Sequence, residues 1–151
     1  MADMVSDEFF MRMALAEAEK AAVAGDVPVG AIVVREGQVI GAAHNRREQD
    51  GSVSAHAEIL AMEQACRQIG SWRLSGCTLY VTMEPCPMCA GAILNGRVDR
   101  VVYGCKDARG GAMGSVLNVF RYPLGFSPKV RCGVCEEECR TVLRRFFARR
   151  R

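Results

Sequence analysis

The sequence predicts an α/β fold in which helices cover both faces of a β-sheet. After an initial hairpin, short apolar strand patterns alternate with helical patterns, which is the order typical of such folds. The chain has 151 residues, of which 50% are hydrophobic and 25% charged. This length and composition are typical of a globular protein with a substantial core. No repeat, low-complexity segment or linker divides the sequence, so we expect a single domain over residues 1–151.

The first helix is predicted over an alanine-rich run from about Glu8 to Ala24. Ser6 and Asp7 precede this run and are candidate N-cap residues. Gly25 follows it, and glycine commonly ends helices. A β-hairpin is then predicted from two apolar segments, Val29–Val34 and Val39–Ala43, which flank the turn residues Glu36 and Gly37.

The rest of the chain alternates between helical and strand patterns, with glycines near the helix ends at positions 70 and 96. The last predicted helix has an apolar side formed by Val142, Leu143, Phe146 and Phe147. In order, the predictions are a helix from His56 to Ile69, a strand from Thr78 to Thr82, a helix from Pro87 to Leu94, a strand from Val98 to Tyr103, a glycine-rich loop from Asp107 to Ser115, a strand from Lys129 to Arg131 and a helix from Glu136 to Arg150.

Two short segments contain three zinc-type ligands and one additional carboxylate. They are His56-Ala57-Glu58 and Pro85-Cys86-Pro87-Met88-Cys89. A catalytic zinc ion typically takes three protein ligands and leaves a fourth position for water. We therefore predict His56, Cys86 and Cys89 as metal ligands and Glu58 as a base beside the water. A metal, a water molecule and a carboxylate together suit hydrolytic attack on an electrophilic carbon.

The spacing within each segment predicts where it lies on a helix. Cys86 and Cys89 are three residues apart and would share one face of a helical turn. Pro85 suits a helix start, where the backbone N–H groups favour thiolates. His56 and Glu58 are two residues apart and converge only around a first turn. We therefore expect both motifs at helix N-termini that face each other.

Each half of this pattern has a simpler interpretation when taken alone. A single Cys-x-x-Cys is also typical of redox sites and of structural zinc sites. The only other histidine, His44, offers no second histidine-rich site. Taken together and in this order, the two halves match the known signature of zinc-dependent nucleobase deaminases.

Charge and composition limit the alternatives. The net charge of +3 says little about nucleic acid by itself. No apolar run approaches the roughly 18 residues that a membrane span needs, so we expect no membrane partner. The acidic N-terminal segment lacks the features of a signal peptide, and the cytoplasm is the expected compartment. The eight cysteines are then expected to stay reduced.

Two features near the C-terminus have open interpretations. From Arg140 to Arg151 there are six arginines and no acidic residue, which suits either phosphate binding or a solvated helix end. Cys132, Cys135 and Cys139 resemble a second metal or redox motif. Incidental packing thiols are the favoured interpretation, because no histidine lies nearby in the sequence.

Most of the chain resembles the bacterial tRNA-specific adenosine deaminases of the cytidine deaminase superfamily. This resemblance implies a three-layer α/β/α sandwich with a five-stranded mixed sheet and one catalytic Zn²⁺ per chain, without an organic cofactor. It also implies a homodimer that converts the wobble adenosine of a tRNA anticodon stem-loop to inosine. The matching segments are Val27–Ala31, His44–Arg46, Ala55–Glu58, Leu79–Cys86 and Gly114–Asn118.

The resemblance also implies roles for residues outside the metal motif. Asn45 would hydrogen-bond the target base, although an ordinary turn residue is the alternative. Asp107 would accept a hydrogen bond from a ribose 2′-OH, although a loop or cap aspartate is the alternative. Phe146 and Phe147, with the terminal arginines, would face RNA, and we expect at least one of these phenylalanines to be a core residue instead.

Two rival functions use the same metal motif. One is a free nucleobase or nucleotide deaminase of the guanine or cytosine type, which would not need a basic aromatic tail. The other is a catalytically silent, zinc-stabilised RNA-binding subunit. Such silent relatives typically lose the carboxylate that moves the proton, and Glu58 is present here.

Overall fold

Five strands form one sheet in the computed structural model, which describes the backbone of residues 2–150 and the side chains of residues 7–150. They are β1 (Gly30–Arg35), β2 (Gln38–His44), β3 (Cys77–Met83), β4 (Arg100–Cys105) and β5 (Lys129–Cys132). Their order across the sheet is β2-β1-β3-β4-β5. β1 runs antiparallel to both β2 and β3, whereas β3, β4 and β5 are parallel. The predicted mixed sheet is confirmed.

Helices cover both faces of this sheet. α3 and α4 pack against one face through a core that contains Ala61, Ile93 and Val101. α1 and α5 pack against the other through a core that contains Met11, Val102 and Leu143. The helices are α1 (Ala2–Val23), α2 (Arg47–Asp50), α3 (Ala57–Ile69), α4 (Pro87–Gly96) and α5 (Glu136–Arg149), with a 3₁₀ turn at Val119–Arg121.

The parallel strands β3 and β4 determine where loops meet. Met83 pairs with Cys105 at the carboxyl ends of the two strands, and the Glu84 amide donates to the Cys105 carbonyl at 2.9 Å. The segment after β3 leads into α4, and the segment after β4 is the glycine-rich loop. Ligand sites of open α/β sheets commonly lie at the carboxyl ends of the strands, so this edge is the natural place for one.

Several predicted boundaries are wrong. Ser6 and Asp7 lie inside α1 instead of capping it. The Asp7 carboxylate instead binds Tyr80, Arg100 and Arg131 in the interior. β4 begins two residues later than predicted, and neither α2 nor the 3₁₀ turn was expected. No helix within residues 2–150 combines the length and apolar character that a membrane crossing requires.

Candidate active site

Two helix N-termini bring three metal-type ligands together. His56 is the N-cap of α3 in an extended conformation, and Cys86 is the N-cap of α4. Cys89 follows in the first turn of α4. The His56 Nδ1 atom lies 3.7 Å from Cys86 Sγ and 3.6 Å from Cys89 Sγ. The facing arrangement expected from the spacing is therefore present.

The chemistry of these residues fits a zinc ion. A tetrahedral site with metal–ligand bonds of about 2.0–2.3 Å has ligand–ligand edges of about 3.3–3.8 Å, which matches the two nitrogen–sulfur distances. The hydrogen bond from Cys89 lowers the pKa of Cys86 to about 4. The same hydrogen bond with Cys86, together with burial, raises the pKa of Cys89. One thiolate thus forms readily and the second requires a cation, which a divalent metal provides.

The three side chains are the only such group of His, Cys, Asp and Glu ligands among the residues that the structure describes. Cys132 is exposed and Cys139 is buried, and neither belongs to a cluster that could hold a metal. Packing therefore accounts for the buried Cys139, in line with the favoured interpretation.

Glu58 is the acidic residue next to this group. It lies in the first turn of α3, and its side chain is only 4% exposed. Burial raises the pKa of Glu58 to about 7, against the opposing charge of His56. A carboxyl group with such a pKa can both accept and donate a proton near neutral pH.

One cavity of about 210 Å³ is lined by two of the metal-type ligands, His56 and Cys86, and by two of the predicted substrate contacts. Its wall is mixed, with apolar side chains beside polar and charged ones. The lining residues are Val27, Val29, Asn45, Arg47, His56, Ala57, Glu58, Met83, Glu84, Cys86 and Asp107. Asn45 and Asp107 therefore share a cavity with the candidate metal centre, although 62 residues separate them in the sequence.

Asn45 serves the local turn and also faces this cavity. Its Nδ2 group donates to the Val27 carbonyl at 3.1 Å, and its Oδ1 atom accepts from the Arg47 amide at 3.1 Å. Asn45 is thus a turn residue, as the alternative interpretation predicted. The second N–H of the amide has no partner among the described residues and is available for a base. Contact with a base stays a prediction.

Asp107 similarly uses one oxygen for its own loop. Its Oδ1 atom accepts from the amides of Arg109 at 3.0 Å and Gly110 at 3.3 Å. Its Oδ2 atom accepts no hydrogen bond from the described residues. The ribose contact stays a prediction, with one carboxylate oxygen available to make it.

The end of α5 lies beside the cavity. Phe146 is buried, as we expected of one residue of the pair, and the guanidinium of Arg150 stacks 4.6 Å from its ring. Phe147 is 50% exposed, so its predicted place on the apolar side of the helix is wrong. Both rings and Arg150 line a groove that also includes Asn45 and Arg47. This groove, which we call the tail groove, adjoins the cavity, with which it shares Asn45, Arg47 and Val27.

Two charged residues of the cavity wall, Glu84 and Arg47, were not predicted from the sequence. Glu84 belongs to a matched segment, but it was given no role; a carboxylate directly after an apolar strand and before a ligand motif was the available signal. Arg47 is exposed and forms no ion pair among the described residues. Nothing in the local sequence distinguishes it from its neighbour Arg46, which pairs with Asp50 at 3.0 Å.

Comparisons with known proteins agree with this geometry. A family model described as MafB19-like deaminase matches residues 5–150. The tRNA-specific adenosine deaminase of Bacillus subtilis (strain 168) is 47% identical over 145 residues, covering 95% of this chain and 90% of that protein.

Two solved structures share the fold. One, from work on A-to-I editing by tRNA:A34 deaminases at the wobble position of transfer RNA, has a TM-score of 0.87 at 43% identity and covers 89% of this chain and 99% of its own. The guanine deaminase from Nitrosomonas europaea has a TM-score of 0.83 at 25% identity, covering 93% and 84% respectively. The predicted three-layer fold is confirmed.

Proposed function

We propose that this chain, which belongs to the family of tRNA-specific adenosine deaminases, converts the wobble adenosine of a tRNA anticodon loop to inosine by hydrolysis. The observation that carries the proposal is the convergence of His56, Cys86 and buried Glu58 on one cavity, with the tail groove next to it. The reaction adds water at C6 of the base and releases ammonia.

The residues of the cavity divide the chemistry between them. His56, Cys86 and Cys89 would hold Zn²⁺, which when bound supplies a water molecule of lowered pKa. Glu58 accepts a proton from the attacking water and donates it to N1 of the purine. Glu58 then takes the proton of the new C6 hydroxyl and passes it to the N6 amine, so that ammonia leaves as the C6–N6 bond breaks and C6 becomes a carbonyl. Its raised pKa near 7 suits a group that must both take and give the proton.

Recognition of RNA would use the residues around the cavity. Asn45 is proposed to contact the target base through its unpartnered amide N–H. Asp107 is proposed to accept from the ribose 2′-OH through Oδ2, which would favour RNA over DNA. Phe147 is exposed for stacking, and Phe146 would support it from the core. Arg47 and Arg150 carry positive charge suited to phosphates.

The assembly follows the family. We propose a single deaminase domain over residues 1–151, one zinc ion per chain and a homodimer. A tRNA anticodon stem-loop is the proposed partner, because the tail groove extends the binding surface well beyond a cavity of about 210 Å³.

The second candidate is a free nucleobase deaminase. The fold likeness to a guanine deaminase supports this class, since both would use the same metal centre. The tail groove favours the RNA substrate, because Phe147 and Arg150 line the groove and not the cavity that would hold a free base.

A deamination assay that detects inosine, xanthine and uracil separates these candidates. The zinc-loaded protein is incubated with an anticodon stem-loop that carries adenosine at the wobble position, and in parallel with free adenosine, guanine and cytosine. A matched stem-loop with adenosine only outside the wobble position is the control. We expect rapid inosine formation in the first stem-loop but not in the control, slow turnover of free adenosine and no turnover of guanine or cytosine. Turnover of guanine or cytosine without stem-loop turnover would select the rival, and no turnover of any substrate would favour a silent subunit.

A further inference from the structure

We infer that Glu84 is a positioning residue of the substrate cavity, which holds the glycine-rich loop of residues 107–115 against the metal-ligand segment. The inference rests on the proposed function, because its consequence is for the target nucleotide. None of the described hydrogen bonds of Glu84 reaches a metal-type ligand atom or the proposed place of the target base. It would act through the backbone of the whole loop, which carries Asp107 and, through the Ala112–Pro85 hydrogen bond, contacts the segment before Cys86.

The Glu84 carboxylate is fully engaged by one loop. Its Oε1 atom accepts from the Asp107 amide at 3.1 Å and from the Ser115 hydroxyl. Its Oε2 atom accepts from the amides of Met113 at 2.9 Å and Ser115 at 3.1 Å. Four donors from both ends of the loop thus converge on one side chain.

The charge of Glu84 is compensated by this loop. Its side chain is 3% exposed, and no ion pair to it exists among residues 7–150. The hydrogen bonds from Ser115, Asp107 and Met113 replace the water that the carboxylate loses on burial. A buried carboxylate without these donors would be costly, so the loop has a strong preference for the bound arrangement.

Close packing reinforces the hydrogen bonds. A Cβ atom on Gly111 would lie 2.4 Å from Glu84 Cδ and 2.6 Å from the Asp107 carbonyl oxygen. Only glycine therefore fits between the carboxylate and the loop backbone. The Ala112 amide also donates to the Pro85 carbonyl at 2.9 Å, immediately before the ligand Cys86.

This connection joins two parts of the active site that are distant in sequence. The chain runs directly from Glu84 through Pro85 to Cys86, so the position of the carboxylate is fixed relative to the candidate metal centre. Asp107 is in turn fixed relative to Glu84 through its own amide. The distance between the metal-bound water and the ribose-contacting oxygen would therefore depend on Glu84.

The substitution Glu84→Gln tests this role with little change in size. The new amide NH₂ group must replace one oxygen and would then face the Asp107 amide or the amides of Met113 and Ser115. At least one backbone N–H loses its acceptor in either orientation. Gly111→Ala disturbs the same contact by steric overlap. Gly91→Ala is the matched control, because a Cβ atom there has no neighbour within 4 Å.

Four measurements on the zinc-loaded full chain read out the effect: zinc per chain, stem-loop affinity, kcat for inosine formation, and amide hydrogen exchange across residues 107–115. We expect kcat to fall about 100-fold in Glu84→Gln and Gly111→Ala, since a misplacement of about 1 Å costs that much. Amide exchange in the loop should accelerate about tenfold or more. Zinc content and stem-loop affinity should remain near wild type, and Gly91→Ala should change nothing.

Two results would overturn the inference. The first is normal kcat and normal loop exchange in Glu84→Gln. The second is loss of zinc or of the folded state in step with kcat in both variants, which would assign Glu84 to the fold alone. If the wild-type protein forms no inosine, the proposed function fails instead, and loop exchange in Glu84→Gln then decides the positioning role by itself.

Discussion

The candidate metal centre and the substrate rim share one cavity but are built in different ways. His56 and Cys86 are helix N-caps and Cys89 lies in the first turn of α4, and their positions follow from short local motifs. Asn45 and Asp107 lie in loops that owe their shape to distant partners. Local motifs therefore determine where the candidate metal ligands lie, whereas long-range contacts position the side chains that are proposed to contact the substrate.

The two regions also differ in charge. At the metal centre, buried acidic groups and thiols face one another, so that a cation is needed to balance them. At the rim, Arg47 and Arg150 are exposed and suited to an anionic partner. The first region could hold a metal ion and the second is suited to a polyanion, as the proposed deamination of RNA requires.

The largest effect should come from Glu58→Ala. Removal of the group that moves the proton should lower turnover of the stem-loop by about ten-thousandfold, the upper range for general acid–base catalysis. Because all three ligands remain, zinc should stay at one ion per chain, as measured by mass spectrometry of the native protein. Cys89→Ala is the contrasting variant and should lose both zinc and turnover. Near-normal turnover in zinc-loaded Glu58→Ala would exclude the assigned role.

The metal centre and the core helices could be predicted because their signals are local. Proline, glycine and apolar spacing placed α4 between Pro87 and the region of Gly96, and the structure agrees. Asp7 shows the opposite case: its sequence context suggests an N-cap, but three partners 73 to 124 residues away determine its position. Glu84 was missed for the same reason, since its donors all lie at least 23 residues further along.

The network around Asp7 tests whether the site depends on the opposite end of the sheet. Asp7 is 1% exposed and binds Arg100, the first residue of β4, whereas the cavity lies beyond the last. Asp7→Asn should lower the free energy of unfolding by about 2–3 kcal/mol, somewhat less than for a fully buried pair because both arginines are partly exposed. Chemical denaturation measures this loss, and kcat at 25 °C should be unchanged.

The same network predicts a pH dependence. Burial raises the pKa of Asp7. Hydrogen bonds from Arg100, Tyr80 and Arg131 together lower it by more than burial raises it, so the pKa in the folded protein lies below the ordinary value of 3.8. The unfolded chain therefore binds this proton more readily than the folded protein does. The contribution of Asp7 to the free energy of unfolding is fully present above pH 3.8 and is lost as the pH falls through the lower pKa of the folded protein. Wild type should therefore lose more stability than Asp7→Asn on acidification. Parallel curves for the two proteins would contradict this.

Truncation after Ala148 tests the tail groove. It removes Arg149, Arg150 and Arg151 but leaves Phe146 and Phe147 in place. Loss of three cations should weaken stem-loop binding about 30-fold and reduce the salt dependence of binding by a slope of about 2, the value for contacts with single-stranded phosphates. Any slow turnover of free adenosine is the internal control and should change little. Equal losses in both assays would indicate a folding role, since Arg150 also donates to the Gly25 carbonyl.

The smallest effect should come from Asp107→Asn, and it concerns substrate choice more than rate. The oxygen that accepts from Arg109 and Gly110 can be kept in the variant, because the amide oxygen can occupy the Oδ1 position. The Oδ2 position then becomes an NH₂ donor, which can no longer accept from a ribose 2′-OH. Loss of one charge-assisted hydrogen bond should reduce the preference for an RNA stem-loop over its DNA counterpart about tenfold. The ratio of kcat/KM for the two substrates measures this preference. Because Glu84 binds the backbone amide of residue 107 and not its side chain, loop exchange should stay normal in Asp107→Asn. An unchanged RNA/DNA ratio would leave Asp107 as a loop residue only, and the rim would then choose RNA by its arginines and aromatic rings.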